Sequence, residues 1–299
     1  MIVHPKINLW NILFSLKGSI AKRIAKRSFM ITALASFIVL VEGAYPALFA
    51  HVNATPFTLL GISLSIFMSF RNNACYSRWW EGRQAWGEVI TEIRSFTRAS
   101  LCISDATLRE MLLRELCGFT HALAAKLRHE PEFPAAQIWL SQDAQKYGHN
   151  VSEGILRHIS GHYFALSQSH QITGWHYMVL EERLQHLAQA QATCERIKST
   201  PLPFPYTLLF HRTIYIFCLL LPFAMAEPLG WLAPIFTTIV SYTFLGLDAL
   251  GDELEDPFGH EENDLPIDAM VRIIERDILD SLNIGELPPL LQPKNYVLS

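Results

Sequence analysis

The sequence predicts an all-α membrane protein with four transmembrane helices per subunit and a large helical aqueous domain. Three observations carry this. Half of the 299 residues are hydrophobic and only 17% are charged, and the mean hydropathy is positive. That is too apolar for an ordinary soluble enzyme and too polar for a chain lying wholly in a bilayer. Four apolar stretches occur as two pairs, one early and one late. The long segment between the pairs carries helix caps and apolar residues at helical spacing. The expected division is an amphipathic N-terminal segment over 1–28 and transmembrane helices 1 and 2 over 29–80. A cytosolic helical domain over 81–200 and transmembrane helices 3 and 4 over 201–250 follow. An acidic loop, a C-terminal cytosolic helix and a tail occupy 251–299.

Trp10, Ile12, Leu13, Phe14 and Leu16 make the first segment amphipathic, suited to a bilayer surface or to the aqueous domain. Lys22, Arg23, Lys26 and Arg27 follow and precede the first span, Phe29–Ala50. About 20 residues are needed to cross the hydrocarbon core. Glu42 near the far end of this span either faces outer headgroups or acts as an intramembrane carboxylate. The second span starts at Pro56, in the first-turn position that proline tolerates. No strong breaker follows before Ser104, so one long helix is expected to leave the membrane and continue into water. Asp105–His129 is a capped amphipathic helix, broken by the EPEFP run at Glu130–Pro134. Short helices are expected over Ala135–Tyr147 and Val151–Gln168, and a long one over Gln171–Lys198. The third span covers Tyr206–Ala226 and the fourth Trp231–Leu247, with Asp248 ending it. A last helix covers Asp268–Leu282.

The formal net charge of −4 conceals an asymmetry. Basic residues crowd Lys17–Arg27 and acidic ones Asp248–Asp268. The basic run directly precedes an apolar span, so membrane orientation explains it better than nucleic acid does. Both short hairpins lack Lys and Arg, which places both termini on the cytoplasmic side. The start lacks the pattern of a cleavable signal peptide. The five cysteines form no CxxC pair and no disulfide framework.

Twelve histidines raise the question of metal. His158 and His162 are spaced to share a helix face, but Ile159 stands where a zinc hydrolase has its glutamate. The acidic stretch offers Glu253, Asp256, Glu261, Glu262 and Asp264 as oxygen ligands for a hard cation. Glu253, Asp256, Glu261 and Asp264 are the candidate metal set. A solvated acidic segment turned by Pro257 and Gly259 explains the same residues equally well. No phosphate-binding glycine loop and no nucleophile–base set is present, so no enzyme is expected; no cofactor is required, and the acidic loop offers a site that a divalent cation could take.

The stretch Pro56–Arg83 organises the chain. Phe57–Phe70 carries no charge, and Ile62, Ile66 and Phe70 recur every four residues as one apolar stripe. Arg71, Asn72 and Asn73 follow at once. Such a helix either leaves the membrane through a belt of Trp and Arg or lines a pore. The run RNNACYSRWWEGRQAWG from Arg71, together with EDPFG at Glu255–Gly259, resembles the bestrophin family, in particular its bacterial members. The segment from Pro201 to Ala224 is similar to that family's later membrane region. The resemblance extends from about Lys17 to Asp268.

The resemblance implies a homopentamer around a central pore, in a bacterial inner membrane. It places Ile62, Ile66 and Phe70 at the narrow neck, where apolar rings close a pore by dewetting. It also implies a cytosolic constriction from the helix within Gln171–Lys198, for which Trp175 and Met178 are the candidates. In animal members the acidic stretch is a calcium clasp; here His260 and Asn263 interrupt the acidic pattern. The function expected is passive conduction of monovalent ions. The sign is open: the acidic stretch leans to cations, and chloride is the alternative. The partners expected are these ions, lipid and further copies of the chain. A membrane-anchored helical scaffold or sensor without ion flux is the rival from another class.

Overall fold

A computed structural model describes residues 1–3, 18–48 and 53–299. The expected amphipathic lead-in through Trp10, Ile12, Leu13, Phe14 and Leu16 lies outside the described residues. Among the described residues the structure is helical, apart from isolated antiparallel bridges that Val297 makes to Ile2 and Lys294. The helices are α1 (Ala21–Ala44), α2 (Thr55–Ala99), α3 (Ala106–Leu127), α4 (Glu132–Ala136), α5 (Ala144–Tyr147) and α6 (Val151–Gln168). They continue with α7 (Gly174–Ser199), α8 (Phe204–Leu229), α9 (Ala233–Glu255) and α10 (Ile267–Ser281). The chain forms two compact units, residues 5–79 with 201–255 and residues 1–4 with 80–200 and 256–299.

In the first unit, Ile24 and Ile31 of α1 share one buried core with Leu64 and Met68 of α2. Ile214, Phe217 and Leu221 of α8 and Phe244 and Leu245 of α9 complete this core. Gly61 lets α2 approach α8, since a Cβ there would stand 3.3 Å from the Phe217 ring, the close approach that small residues give packed membrane helices. Thr32 and Thr238 join α1 to α9 through their hydroxyls at 2.6 Å. The stretches Ala21–Ala44 and Phe204–Glu255 are long and apolar enough to cross a membrane.

In the second unit, α3 is buried over much of its circumference, through Leu112, Leu113, Leu116, Phe119 and Leu123. Asp105 caps it, accepting hydrogen bonds from the Thr107 and Leu108 amides, which satisfies two of the donors a helix start leaves open. Phe96 of α2 packs on Tyr163 of α6 with ring centroids 5.5 Å apart. On α10, Ile267, Val271, Ile274 and Ile278 are buried at helical spacing.

The structure differs from the sequence expectation in three places. The EPEFP run is itself partly helical, because Pro134 sits in the first turn of α4, where its missing amide costs nothing. Glu132 then accepts from the amide and hydroxyl of Ser152 and so helps to cap α6. The continuous helix expected over Ala135–Tyr147 is interrupted, with a 3-10 turn at Gln137–Trp139 and α5 beginning only at Ala144. The last apolar helix does not stop at Asp248 but runs on to Glu255. The acidic residues of that extension are held by basic partners, as described next.

Candidate functional site

The helix expected from Pro56 to near Ser104 is α2, 45 residues long, or roughly 67 Å at the α-helical rise. Its first half has two faces. Leu64, Met68, Arg71 and Cys75 are buried, at the i, i+4, i+7, i+11 spacing of one helix face. Ile62, Ile66 and Phe70 lie off that face and are 54%, 53% and 62% exposed. Three bulky apolar side chains in vertical register are therefore left more than half exposed by their own chain.

Directly after Phe70, the buried face turns polar. Arg71 is fully buried. Its Nη1 donates to Asp248 Oδ1 at 2.9 Å and its Nη2 to Asp252 Oδ1 at 2.6 Å. Asp248 and Asp252 are one turn apart on α9, so the forked guanidinium meets both at once. His211 of α8 closes the group, with Nδ1 2.8 Å from Asp248 Oδ2 and Nε2 3.7 Å from Asp252 Oδ1. Asn72 donates to the Leu247 carbonyl at 3.1 Å and Arg78 to the Glu255 carbonyl at 3.3 Å. Gly251 makes room for the arrangement: a Cβ there would lie 2.7 Å from Asn72 Oδ1 and 3.0 Å from Arg71 Nη1. Three helices are thereby tied together at the level where the apolar stripe ends. The network also explains why α9 continues past Asp248, since its carboxylates are paired and the backbone stays helical.

The candidate metal residues are placed differently from one another. Glu253 lies 3.6 Å from an Arg23 guanidinium nitrogen. Asp256 pairs with Lys198 at 2.7 Å. Asp264 Oδ2 accepts from the Glu261 amide at 2.8 Å, a contact that shapes the turn after Gly259. Among the described residues, the ligand atoms that gather within 4.8 Å of one another belong to a different group: His211, Asp248 and Asp252. Arg71 already supplies positive charge there. Trp175 and Met178, near the start of α7, are 80% and 63% exposed. Glu42 lies in the last turn of α1. Sequence reading passed over Arg71, His211, Asp248 and Asp252 as a set. The signal was present: ionisable residues inside or at the ends of apolar helices require partners.

Asp264 belongs to the second unit. Burial pushes its carboxyl from 3.8 up to about 6, with Glu261 and Asp256 adding to the rise while the Glu261 amide opposes it. The folded chain therefore holds this proton between those two values and the unfolded chain does not. The contribution of Asp264 to stability is full below about 3.8 and is lost as pH rises through about 6. Asp264→Asn, which keeps the acceptor oxygen, is expected to raise stability by about 1–3 kcal/mol at neutral pH and by much less in acid. Thermal unfolding of both proteins across the acid-to-neutral range checks this; equal differences at both ends would contradict it.

The bacterial/fungal bestrophin family model matches residues 1–280 of the chain. A relative from Mesorhizobium japonicum, the voltage-dependent anion channel-forming protein mll4386, is 40% identical over 98% of this chain and 95% of its own. The voltage-dependent anion channel-forming protein YneE of Salmonella typhi is 36% identical over the full length of both chains. Among solved structures, a bacterial bestrophin homologue from Klebsiella pneumoniae superposes with a TM-score of 0.83 at 32% identity. That match covers 88% of this chain and all of the Klebsiella chain. Helix order, the α2 motif from Arg71 and these likenesses converge, and the chain belongs to the bacterial/fungal bestrophin family of membrane channel proteins.

Proposed function

We propose that the chain forms a passive channel for monovalent ions, assembled as a homopentamer with α2 of each subunit at the pore. The observation that carries this is the exposed stripe Ile62, Ile66 and Phe70, on α2 but off the face that packs into its own subunit. Five such stripes around an axis make stacked apolar rings, narrow enough to exclude water when closed. The buried Arg71 network stands just beyond the last ring and fixes the register of α2 against α8 and α9. At roughly 67 Å, α2 is about twice as long as a hydrocarbon core is thick, so it spans a bilayer and continues into water. On this reading the first half of α2 is the second of four spans. It is less apolar than the others because it faces the pore. The exposed Trp175 and Met178 are the proposed second constriction. The proposed setting is the inner membrane, with both termini in the cytoplasm.

Two observations bear on the sign of the ion. The acidic stretch from Asp248 favours cations. However, Asp248, Asp252, Glu253 and Asp256 each lie beside a basic side chain, which leaves less uncompensated charge than the composition suggests. The Mesorhizobium and Salmonella relatives are named as anion channel-forming proteins, which favours anions. The reversal potential of purified protein in liposomes under a salt gradient reads the sign directly. In the same preparation, Ile66→Ala or Phe70→Ala is expected to increase flux by widening the dry neck. Unchanged flux in both would count against the neck assignment. No flux from any variant would favour a membrane-anchored scaffold.

A further inference from the structure

Glu115, on α3, is fully buried. It accepts from the Tyr147 hydroxyl at 2.9 Å and from the Ser141 hydroxyl, and His158 Nδ1 lies 2.7 Å from its other oxygen. This bond fixes the His158 ring and turns Nε2 away from the carboxylate. His162, one turn further along α6, packs edge-on against it with ring centroids 4.7 Å apart. The two imidazoles line a cleft of about 430 Å³ together with Lys146, Arg157, Gly154 and Gly161. Among the described residues no acidic side chain lines it; Glu115 lies behind the histidines, held by the Tyr147, Ser141 and His158 contacts. Gly161 is the second telling residue. A Cβ there would meet nothing within 4 Å, so packing does not require glycine in mid-helix, where it costs up to about 1 kcal/mol against alanine. Its effect is to leave the cleft open.

We infer that this cleft binds a small soluble phosphate-type dianion, held by Arg157 and Lys146 and by the outward nitrogens of His158 and His162. Arginine offers a fork matched to phosphate oxygens and lysine a point charge. The imidazoles add outward hydrogen-bond donors in their protonated form; in the neutral ring His158 Nδ1–H faces Glu115 and its Nε2 only accepts. The main rival occupant is a divalent metal on the two imidazoles, because a carboxylate behind a histidine is an arrangement that metal sites use. Lys146 and Arg157 oppose a dication, and two imidazoles fall short of the three protein ligands usual for zinc.

The two occupants respond oppositely to pH. The charged and titratable groups around His162 are Arg157 and His158 on α6, Lys146 and Tyr147 on α5, and Glu115 on α3. Burial, and then His158, hold His162 below its ordinary value of 6.5, with Glu115 pulling the other way. A bound dianion favours the protonated ring, so its affinity, counted per dianionic ligand because the second phosphate proton (pKa about 6) is taken up in the same range, rises as pH falls from about 8 to about 6. A metal needs the neutral ring and loses affinity over the same range.

The test is isothermal titration of the full chain in a neutral detergent free of phospholipid. Inorganic phosphate, glycerol phosphate and a short-chain phosphatidic acid are titrated separately, and zinc chloride in a fourth series. The expected result is saturable binding of phosphate or glycerol phosphate, tighter at the lower pH once the affinity is expressed per dianionic ligand. Arg157→Ala should weaken it about tenfold or more, the loss of one charge-assisted contact. Gly161→Glu should abolish it, because the new side chain enters open space and brings a like charge. Unfolding temperatures near wild type show that these variants fold. Absence of saturable phosphate binding, binding indifferent to Gly161→Glu, or a response to the phosphatidic acid alone would overturn the inference. So would zinc binding removed by His162→Ala with no phosphate binding.

Discussion

Arg71→Met is expected to destabilise the protein by about 3–5 kcal/mol, the usual cost of removing one partner from a buried ion pair. Arg71 and Asp248 are both essentially without solvent contact. Losing the guanidinium leaves Asp248 and Asp252 facing each other across one helical turn, with His211 the remaining nearby basic group among the described residues. Arg71→Lys should recover only part of the loss, since an ammonium cannot present the fork that reaches both carboxylates. Replacing Asp248 and Asp252 with apolar residues alongside Arg71→Met should cost less than Arg71→Met alone, because no unpaired charge remains. Thermal unfolding in detergent, followed by intrinsic fluorescence, measures all three. A melting temperature for Arg71→Met close to wild type would show that the network does not hold these helices together.

Gly154→Ala is expected to cost about 3 kcal/mol or more, at or above the upper end of the range for overpacking. A Cβ at Gly154 would stand 1.9 Å from the Tyr147 carbonyl oxygen. That atom is backbone, so no side-chain rotation relieves the clash, and the turn from α5 into α6 must move. Gly161→Ala lies on the same helix and is the control. Nothing approaches its Cβ, so it should stabilise by about 0.5–1 kcal/mol through helix propensity alone. Two identical substitutions two turns apart should therefore shift the unfolding temperature in opposite directions. A loss of similar size at both positions would mean that helix packing around Tyr147 is not as described.

The relation between sequence and structure follows from these sites. Periodicity and caps identify α3, α6 and α10 to within a few residues, because each signal is local: Asp105 caps the helix that follows it. The unbroken run after Pro56 specifies α2, because no residue in it disfavours a helix. The stripe of Ile62, Ile66 and Phe70 is legible as a stripe, since spacing alone aligns it. The helical turn of α4 was misread because proline acts as a breaker only beyond the first turn of a helix, and a proline in sequence does not reveal which turn it occupies.

By itself the sequence determined the helical class, the two apolar pairs, the family and the face of α2 that carries bulky apolar residues. These depend on local periodicity, on composition and on motifs written contiguously. Only the tertiary structure decided which charges are neutralised. Arg71 meets Asp248 and Asp252 across 177 and 181 residues, and His158 meets Glu115 across 43. No local pattern encodes such pairings. An acidic run and a basic run read the same whether their charges face water or each other, and burial alone converts them into a network that holds helices in register.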